Sequence, residues 1–206
     1  GASDVLAYGG QLELYASLMR QAPYSSRVWV TPLDGQSMIR HCDSLRMLYR
    51  QSHPLGDIVG MSESTAVLSS YYRNNVLHLL LMPSLLASAF LNNTSVRRVD
   101  LLRLAGRVYP YVADEYFLHW REHELPAVVD ELLEDLLNHG LLTASDDRSE
   151  WRRPAAESSE AVQLSVLARI SEGGFAQAVC GLVPAGVVCM GSFEGNSLRL
   201  RDVLAD

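Results

Sequence analysis

The clearest pattern of apolar and polar positions along the chain lies at residues 126–139. Six valine and leucine residues recur there on one face of a helix, and four acidic residues occupy the opposite face. Pro126 suits the first turn, and Gly140 stands where a left-handed cap belongs. The pattern predicts an amphipathic helix that covers a core with its leucine side.

A second apolar pattern, at residues 71–93, reads YYRNNVLHLLLMPSLLASAFLNN. Its apolar part, residues 76–91, is shorter than the roughly 20 residues that a membrane-spanning helix needs. A helix resting on a membrane surface would carry more basic residues around it. Proline clashes with the carbonyl four residues earlier, here at Leu79. We therefore predict a buried pair of helices kinked at Pro83.

The helix that leads into this stretch is predicted to begin at Ser62 or Ser64, since serine is a favoured N-cap residue. Apolar residues follow at helical spacing and form an apolar stripe, with the two tyrosines on it or beside it. They are Val67, Leu68, Tyr71, Tyr72 and Val76.

Shorter patterns predict the remaining elements. Helices are expected at 12–20 (ended by Pro23), 43–50, 96–108 (followed by Pro110) and 161–170. Short β-hairpins are expected at about 27–39, around the turn LDGQ, and at about 141–153.

Together these elements predict a mainly α fold in three parts. Residues 1–93 form a helical segment with a short hairpin, and residues 94–156 form a small winged-helix-like unit. Residues 157–206 form a helix followed by an irregular, glycine-rich tail, to which we assign no function because glycine and proline interrupt every regular period.

Charge and composition indicate which partners, compartments and cofactors this chain is expected to have. The 206-residue chain has a net charge of -7, and all 17 basic residues are arginine. A nucleic-acid partner is therefore not expected, particularly since the 126–139 helix carries no arginine. The three cysteines show no CxxC spacing, which favours a reducing compartment, and no secretory signal opens the chain. No nucleotide-binding glycine motif occurs, so no cofactor is expected.

Three residues are weak candidates for substrate binding. His53 and Asp57 share the loop HPLGD, and Arg73 is able to bind a phosphate with its guanidinium. The structural alternatives are a turn capped by Asp57 and an ion pair of Arg73 with Asp57 or Glu63. An independent enzyme would need all three to converge in one pocket.

A metal site has one candidate. His119 and His123 are four residues apart, a spacing that places two imidazoles on one helix face. Because the sequence supplies no third ligand, we expect a solvated surface cluster and no metal.

Several strings occur in the order and spacing of one known family. They are QAPYSSRV (21–28), HPLGDIV (53–59), the stretch at 71–93, DLLRLAGRVYPYVADEYFLHW (100–120) and LLNHGLL (136–142). Together they resemble the C-terminal part of the bacterial membrane-bound glycerol-3-phosphate 1-O-acyltransferases, over roughly residues 10–169.

The resemblance implies a parent enzyme that transfers an acyl chain from acyl-CoA or acyl carrier protein to glycerol 3-phosphate. The product is lysophosphatidate, and the enzyme works at the cytoplasmic face of the inner membrane. The family's catalytic motif is HX4D, with histidine as general base. None of the six histidines of this chain has aspartate five positions later, so no catalytic residue is expected here.

The resemblance therefore implies a non-catalytic segment that scaffolds an upstream acyltransferase domain and contacts the membrane surface. The alternative is a winged-helix-like protein-interaction module without enzymatic activity.

Overall fold

The computed structural model describes residues 2–21 and 25–171, without the side chains of Ala2, Asn74 and Ser171. Its described part is mainly helical, as predicted, and carries two small three-stranded antiparallel sheets. The chain divides into two compact units, Gly1–Leu79 and Leu80–Asp206. The division at 93 and 156 expected from the sequence stays a prediction, and the glycine-rich tail lies outside the described residues.

The first unit begins with strand β1 (Ala2–Asp4) and helix α1 (Val5–Gln21). Helix α2 (Gly35–Ser44) and strands β2 (Tyr49–Gln51) and β3 (Ile58–Gly60) follow, and the sheet order is β1-β3-β2. The helix predicted at 12–20 is confirmed and starts earlier, whereas its expected end at Pro23 lies outside the described residues.

Part of the core of this unit lies between α1, α2 and β3. Val5, Ile39 and Val59 form one buried cluster. Helices α1 and α2 approach each other through Gly9 and Gly35, since a Cβ atom on Gly35 would lie 2.0 Å from the carbonyl oxygen of Gly9. Only glycine permits so close a backbone approach.

The hairpin predicted at about 27–39 is wrong, because the turn LDGQ begins a helix. The Asp34 carboxylate accepts a hydrogen bond from the backbone N–H of Ser37 at 2.6 Å, which makes Asp34 the N-cap of α2. Described residues 28–34 have no regular structure. Despite its strand-like composition, RVWVT pairs with none of the strands in the described part of the chain.

The prediction of a helix at 43–50 is also wrong. Helix α2 ends at Ser44, and Arg46 has a left-handed backbone with φ of 56°. The backbone N–H of Met47 then donates to the carbonyl of Cys42 at 3.0 Å, which closes the helix end. Beyond this closure, Tyr49 already belongs to strand β2.

Helix α3 (Glu63–Ser88) joins the two units. The cap predicted at Ser62 is confirmed, since its hydroxyl accepts a hydrogen bond from the N–H of Thr65 at 3.2 Å. The predicted helix pair is wrong, because a single helix continues through Pro83. Residues 80–87 are all buried, and we attribute the tolerance of this proline to that packing.

The second unit follows α3 with strand β4 (Ser95–Arg97) and the long helices α4 (Arg98–Tyr116) and α5 (Leu125–Asn138). A hairpin of β5 (Thr143–Ala144) and β6 (Glu150–Arg152) completes a sheet of order β4-β6-β5, and helix α6 (Ser159–Ala168) follows. Two helices between a strand and a hairpin give the predicted winged-helix-like arrangement, and the hairpin at about 141–153 is confirmed.

Two boundaries differ from the prediction for 96–108. Ser95–Arg97 is a strand, which pairs with β6 so that Val96 lies opposite Trp151. Helix α4 then passes through Pro110, since buried Tyr109 and Val112 continue its core face on both sides of the proline. The packing of this helix face against the core outweighs the free-energy cost of the backbone hydrogen bond that proline cannot donate.

The predicted amphipathic helix at 126–139 is confirmed as α5. Its leucine face supplies Leu133 and Leu136 to the core, and Gly140 has φ of +70°. On its other side, the Asp130 carboxylate accepts two hydrogen bonds from the Arg98 guanidinium, at 2.7 and 2.6 Å. This pair fixes the start of α4 against α5. The helix predicted at 161–170 is confirmed as α6, with its N-cap at Ser158.

Candidate functional site

The loop that carries His53 and Asp57 joins β2 to β3 and is exposed to solvent. His53 Nδ1 accepts a hydrogen bond from the N–H of Leu55 at 3.2 Å, and the His53 carbonyl accepts one from Gly56 at 3.0 Å. The Asp57 carboxylate lies 3.9 Å from the Arg50 guanidinium. The contacts of His53 hold the turn together, whereas the capping role expected of Asp57 stays a prediction.

Arg73 lies on the exposed first half of α3, in a different element from the loop. Its predicted pairing with Asp57 or Glu63 stays a prediction, and so does the convergence of Arg73 with His53 and Asp57 in one pocket. Substrate binding by these three residues likewise stays a prediction.

His119 and His123 do not share a helix face. Phe117 has φ of 55° and ends α4, residues 118–121 are irregular, and Glu122–Glu124 form a single 3-10 turn. Both histidines are exposed. Throughout residues 2–21 and 25–171, no group of three histidine, cysteine or acidic residues lies close enough to hold a metal ion. The expectation that both histidines are exposed to solvent is confirmed.

The first unit contains half-buried ionisable groups that are unsuited to catalysis at neutral pH. Burial, together with the nearby Asp43, raises the pKa of the Cys42 thiol. Because a thiolate is the reactive form, this shift disfavours Cys42 as a nucleophile. Burial likewise raises the pKa of Tyr15 to about 12, so its phenol stays protonated.

The first half of α3 carries a group of apolar side chains whose exposure the sequence pattern did not predict. The stretch that begins at Tyr71 was predicted to be buried, and this is wrong for its first part, because the apolar residues here are between 45% and 70% exposed. We call this surface the α3 strip; it consists of Val67, Leu68, Tyr71, Tyr72 and Val76. The helix instead turns a small polar side inward, on which Thr65 and Ser69 are half-buried. The buried hydroxyl of Ser69 marks this side.

The α3 strip has the composition of a protein contact. The rings of Tyr71 and Tyr72 meet edge to face, with centroids 5.7 Å apart. Between Glu63 and Leu79, Glu63 and Arg73 are the only residues that belong to the aspartate, glutamate, lysine and arginine types. Aromatic enrichment with few charges is typical of the buried centre of an interface. The sequence carries no signal that separates this surface from the buried half of the helix, because residues 74–88 also lack aspartate, glutamate, lysine and arginine.

Among the described helices, none combines the length and hydropathy needed to cross a bilayer. The described residues define a class: a mainly helical segment with a winged-helix-like unit and one exposed, uncharged helix face.

Residues 9–179 match the family described as the glycerol-3-phosphate acyltransferase C-terminal region, and the chain belongs to this family. The recognition made from the sequence strings is confirmed.

Curated relatives named glycerol-3-phosphate acyltransferase agree with this assignment. The protein of Pseudomonas paraeruginosa (strain DSM 24068 / PA7) is 42% identical over 168 residues, which cover 82% of this chain and 20% of the relative. That of Xanthomonas axonopodis pv. citri (strain 306) is 36% identical over 203 residues, covering 96% and 23%. The chain thus spans about a fifth of the length of these relatives. No solved structure matches the chain.

Proposed function

We propose that this chain is the non-catalytic C-terminal segment of a glycerol-3-phosphate acyltransferase. The observation that carries the proposal is the match of residues 9–179 to a C-terminal-region family. The lack of HX4D after every histidine in the chain supports it, because the general base of acyl transfer must then lie elsewhere in the parent protein. The parent transfers an acyl chain from acyl-CoA or acyl carrier protein to glycerol 3-phosphate.

The role of the segment is to scaffold the upstream catalytic region. The second unit supports this role because it has a well-packed core of its own, in which Leu133, Leu136 and Trp151 are almost fully buried. A rigid, separately packed element is suited to holding another domain in place. The parent works at the cytoplasmic face of the bacterial inner membrane, and the segment lies at that membrane surface with it.

A winged-helix-like module for protein interaction, without any link to acyl transfer, is the second candidate. The order of β4, α4, α5, β5 and β6 favours it. Binding of DNA is not part of this candidate, because the exposed face of α5 carries Asp130, Glu131 and Glu134 and no arginine.

One assay separates the two candidates. Transfer of palmitate from palmitoyl-CoA to labelled glycerol 3-phosphate is measured for this chain alone and for three forms of the P. paraeruginosa relative. These are the intact relative, a truncated relative without its matched 168 residues, and a chimera in which this chain replaces them.

We expect no activity from the chain, little from the truncated relative, and restored activity in the chimera. Activity of the chain alone would overturn the assignment as non-catalytic. Full activity of the truncated relative would overturn the scaffolding role and favour the independent interaction module.

A further inference from the structure

The α3 strip brings together five of the large apolar side chains that are exposed in the described part of the chain. They lie between Val67 and Val76, within about three helical turns, and soluble proteins rarely leave large apolar patches uncovered without a function. We infer that the α3 strip is the surface on which the upstream region of the parent acyltransferase docks. This inference rests on the proposed function and names the contact through which scaffolding occurs.

The length of the parent supports this occupant. The match covers 20% of the P. paraeruginosa relative, which leaves about four-fifths of that protein outside it. The matched family is a C-terminal region, so an upstream part of the same polypeptide is present at every moment. A tethered partner has a high effective concentration and needs only a modest contact area to stay docked.

The charge of the segment argues against a lipid occupant. A helix lying on a membrane carries a basic polar face that attracts anionic lipids. From Glu63 to Leu79 the only charged residues are Glu63 and Arg73, so their formal charges cancel. Tyrosines beside aliphatic residues, with charge nearly absent, instead match the centre of a protein interface.

The test places a photo-crosslinking phenylalanine analogue at Tyr71 in the chimera described above. Tyr111, an exposed tyrosine on α4, carries the same analogue as the matched control. After irradiation of membranes, crosslinked peptides are identified by mass spectrometry. We expect Tyr71 to crosslink to upstream peptides and Tyr111 not to do so. Isotope-labelled and unlabelled copies are mixed, so that crosslinks between two copies are recognised.

Four outcomes would overturn the inference: crosslinks from Tyr71 to lipid, to a second copy, to other residues of this chain, or equal capture of upstream peptides from Tyr111. An absence of any crosslink at Tyr71 would overturn it too. If the chimera does not accumulate, the labelled chain is added to membranes with and without the truncated relative, and the same outcomes apply.

A substitution pair gives a second readout. Val67→Asp is expected to lower the activity of the chimera by about tenfold or more, since a charge at an interface centre is costly. Val162→Asp, at an exposed valine of α6, should leave the activity unchanged. The thermal melt of the 206-residue chain alone should be the same for both variants, because both side chains are exposed there.

The two proposals fail differently. An active chimera whose activity is insensitive to Val67→Asp would overturn the docking surface and leave the scaffolding role intact. Full activity of the truncated relative would instead overturn the scaffolding role, whatever the crosslinks show.

Discussion

Helix α3 lies in solvent along its first half and in a core along its second half. Val67 is 70% exposed, whereas Leu81 and Leu86 have no measurable exposure. Both halves are helical and both are rich in apolar residues. The two halves differ in burial, because residues 80–87 are all buried within the second unit, whereas most of residues 63–76 are exposed. Apolar composition therefore marks contact surfaces as well as cores.

The polar residues of the two halves show the same contrast. Ser84 is fully buried, and its hydroxyl donates a hydrogen bond to the carbonyl of Ala168 in α6 at 3.1 Å. Ser70 is exposed, and its hydroxyl donates to the carbonyl of Ala66 one turn earlier at 2.9 Å. One serine connects two helices, and the other makes only a local contact.

The largest effect that distinguishes the halves is expected from leucine truncation. Leu86→Ala should lower the free energy of unfolding by about 2–5 kcal/mol, because it removes buried methyl groups and leaves a cavity. Leu68→Ala, at the exposed strip, should change it by less than about 0.5 kcal/mol. Urea denaturation of the 206-residue chain measures both. Equal losses would show that the first half is buried in solution.

A smaller effect is expected from the two serines. Ser84→Ala should cost about 1–2 kcal/mol, since it removes a donor to a buried carbonyl. Ser70→Ala should have an effect within about 0.5 kcal/mol, because water replaces the lost contact. The same denaturation experiment applies, and a neutral Ser84→Ala would contradict the proposed link between α3 and α6.

The smallest effect concerns His78, which lies half-buried between the two halves. Burial lowers the pKa of His78 from its ordinary value of 6.5, so folding favours the neutral imidazole. Between the lowered pKa and 6.5, the unfolded chain binds more protons than the folded chain. The contribution of His78 to stability is therefore complete above pH 6.5 and declines as the pH falls below it.

A pH series of denaturation curves measures this dependence, with His78→Gln as the comparison. The substitution should flatten the loss of stability below pH 6.5. An NMR titration of His78 with an apparent pKa above 6.5 would contradict the expected direction.

Structural features that depend on residues close together in the sequence were predictable from the sequence alone. The amphipathic α5 with Gly140 at its end follows from side-chain spacing and glycine's access to positive φ. The cap at Ser62 and the hairpin at about 141–153 follow from similarly local chemistry. Of the candidate site, the loop character of His53 and Asp57 was predictable for the same reason.

Family membership and the lack of HX4D were also determined by the sequence alone, since both are properties of residue order. Tertiary structure decided whether the apolar side of α3 is covered along its whole length and which local signals prevail. Helices α3 and α4 continue through Pro83 and Pro110, where packing on both sides outweighs a missing hydrogen bond. The α3 strip faces outward because a helical period specifies an apolar side without specifying what covers it, and that covering depends on residues distant in sequence.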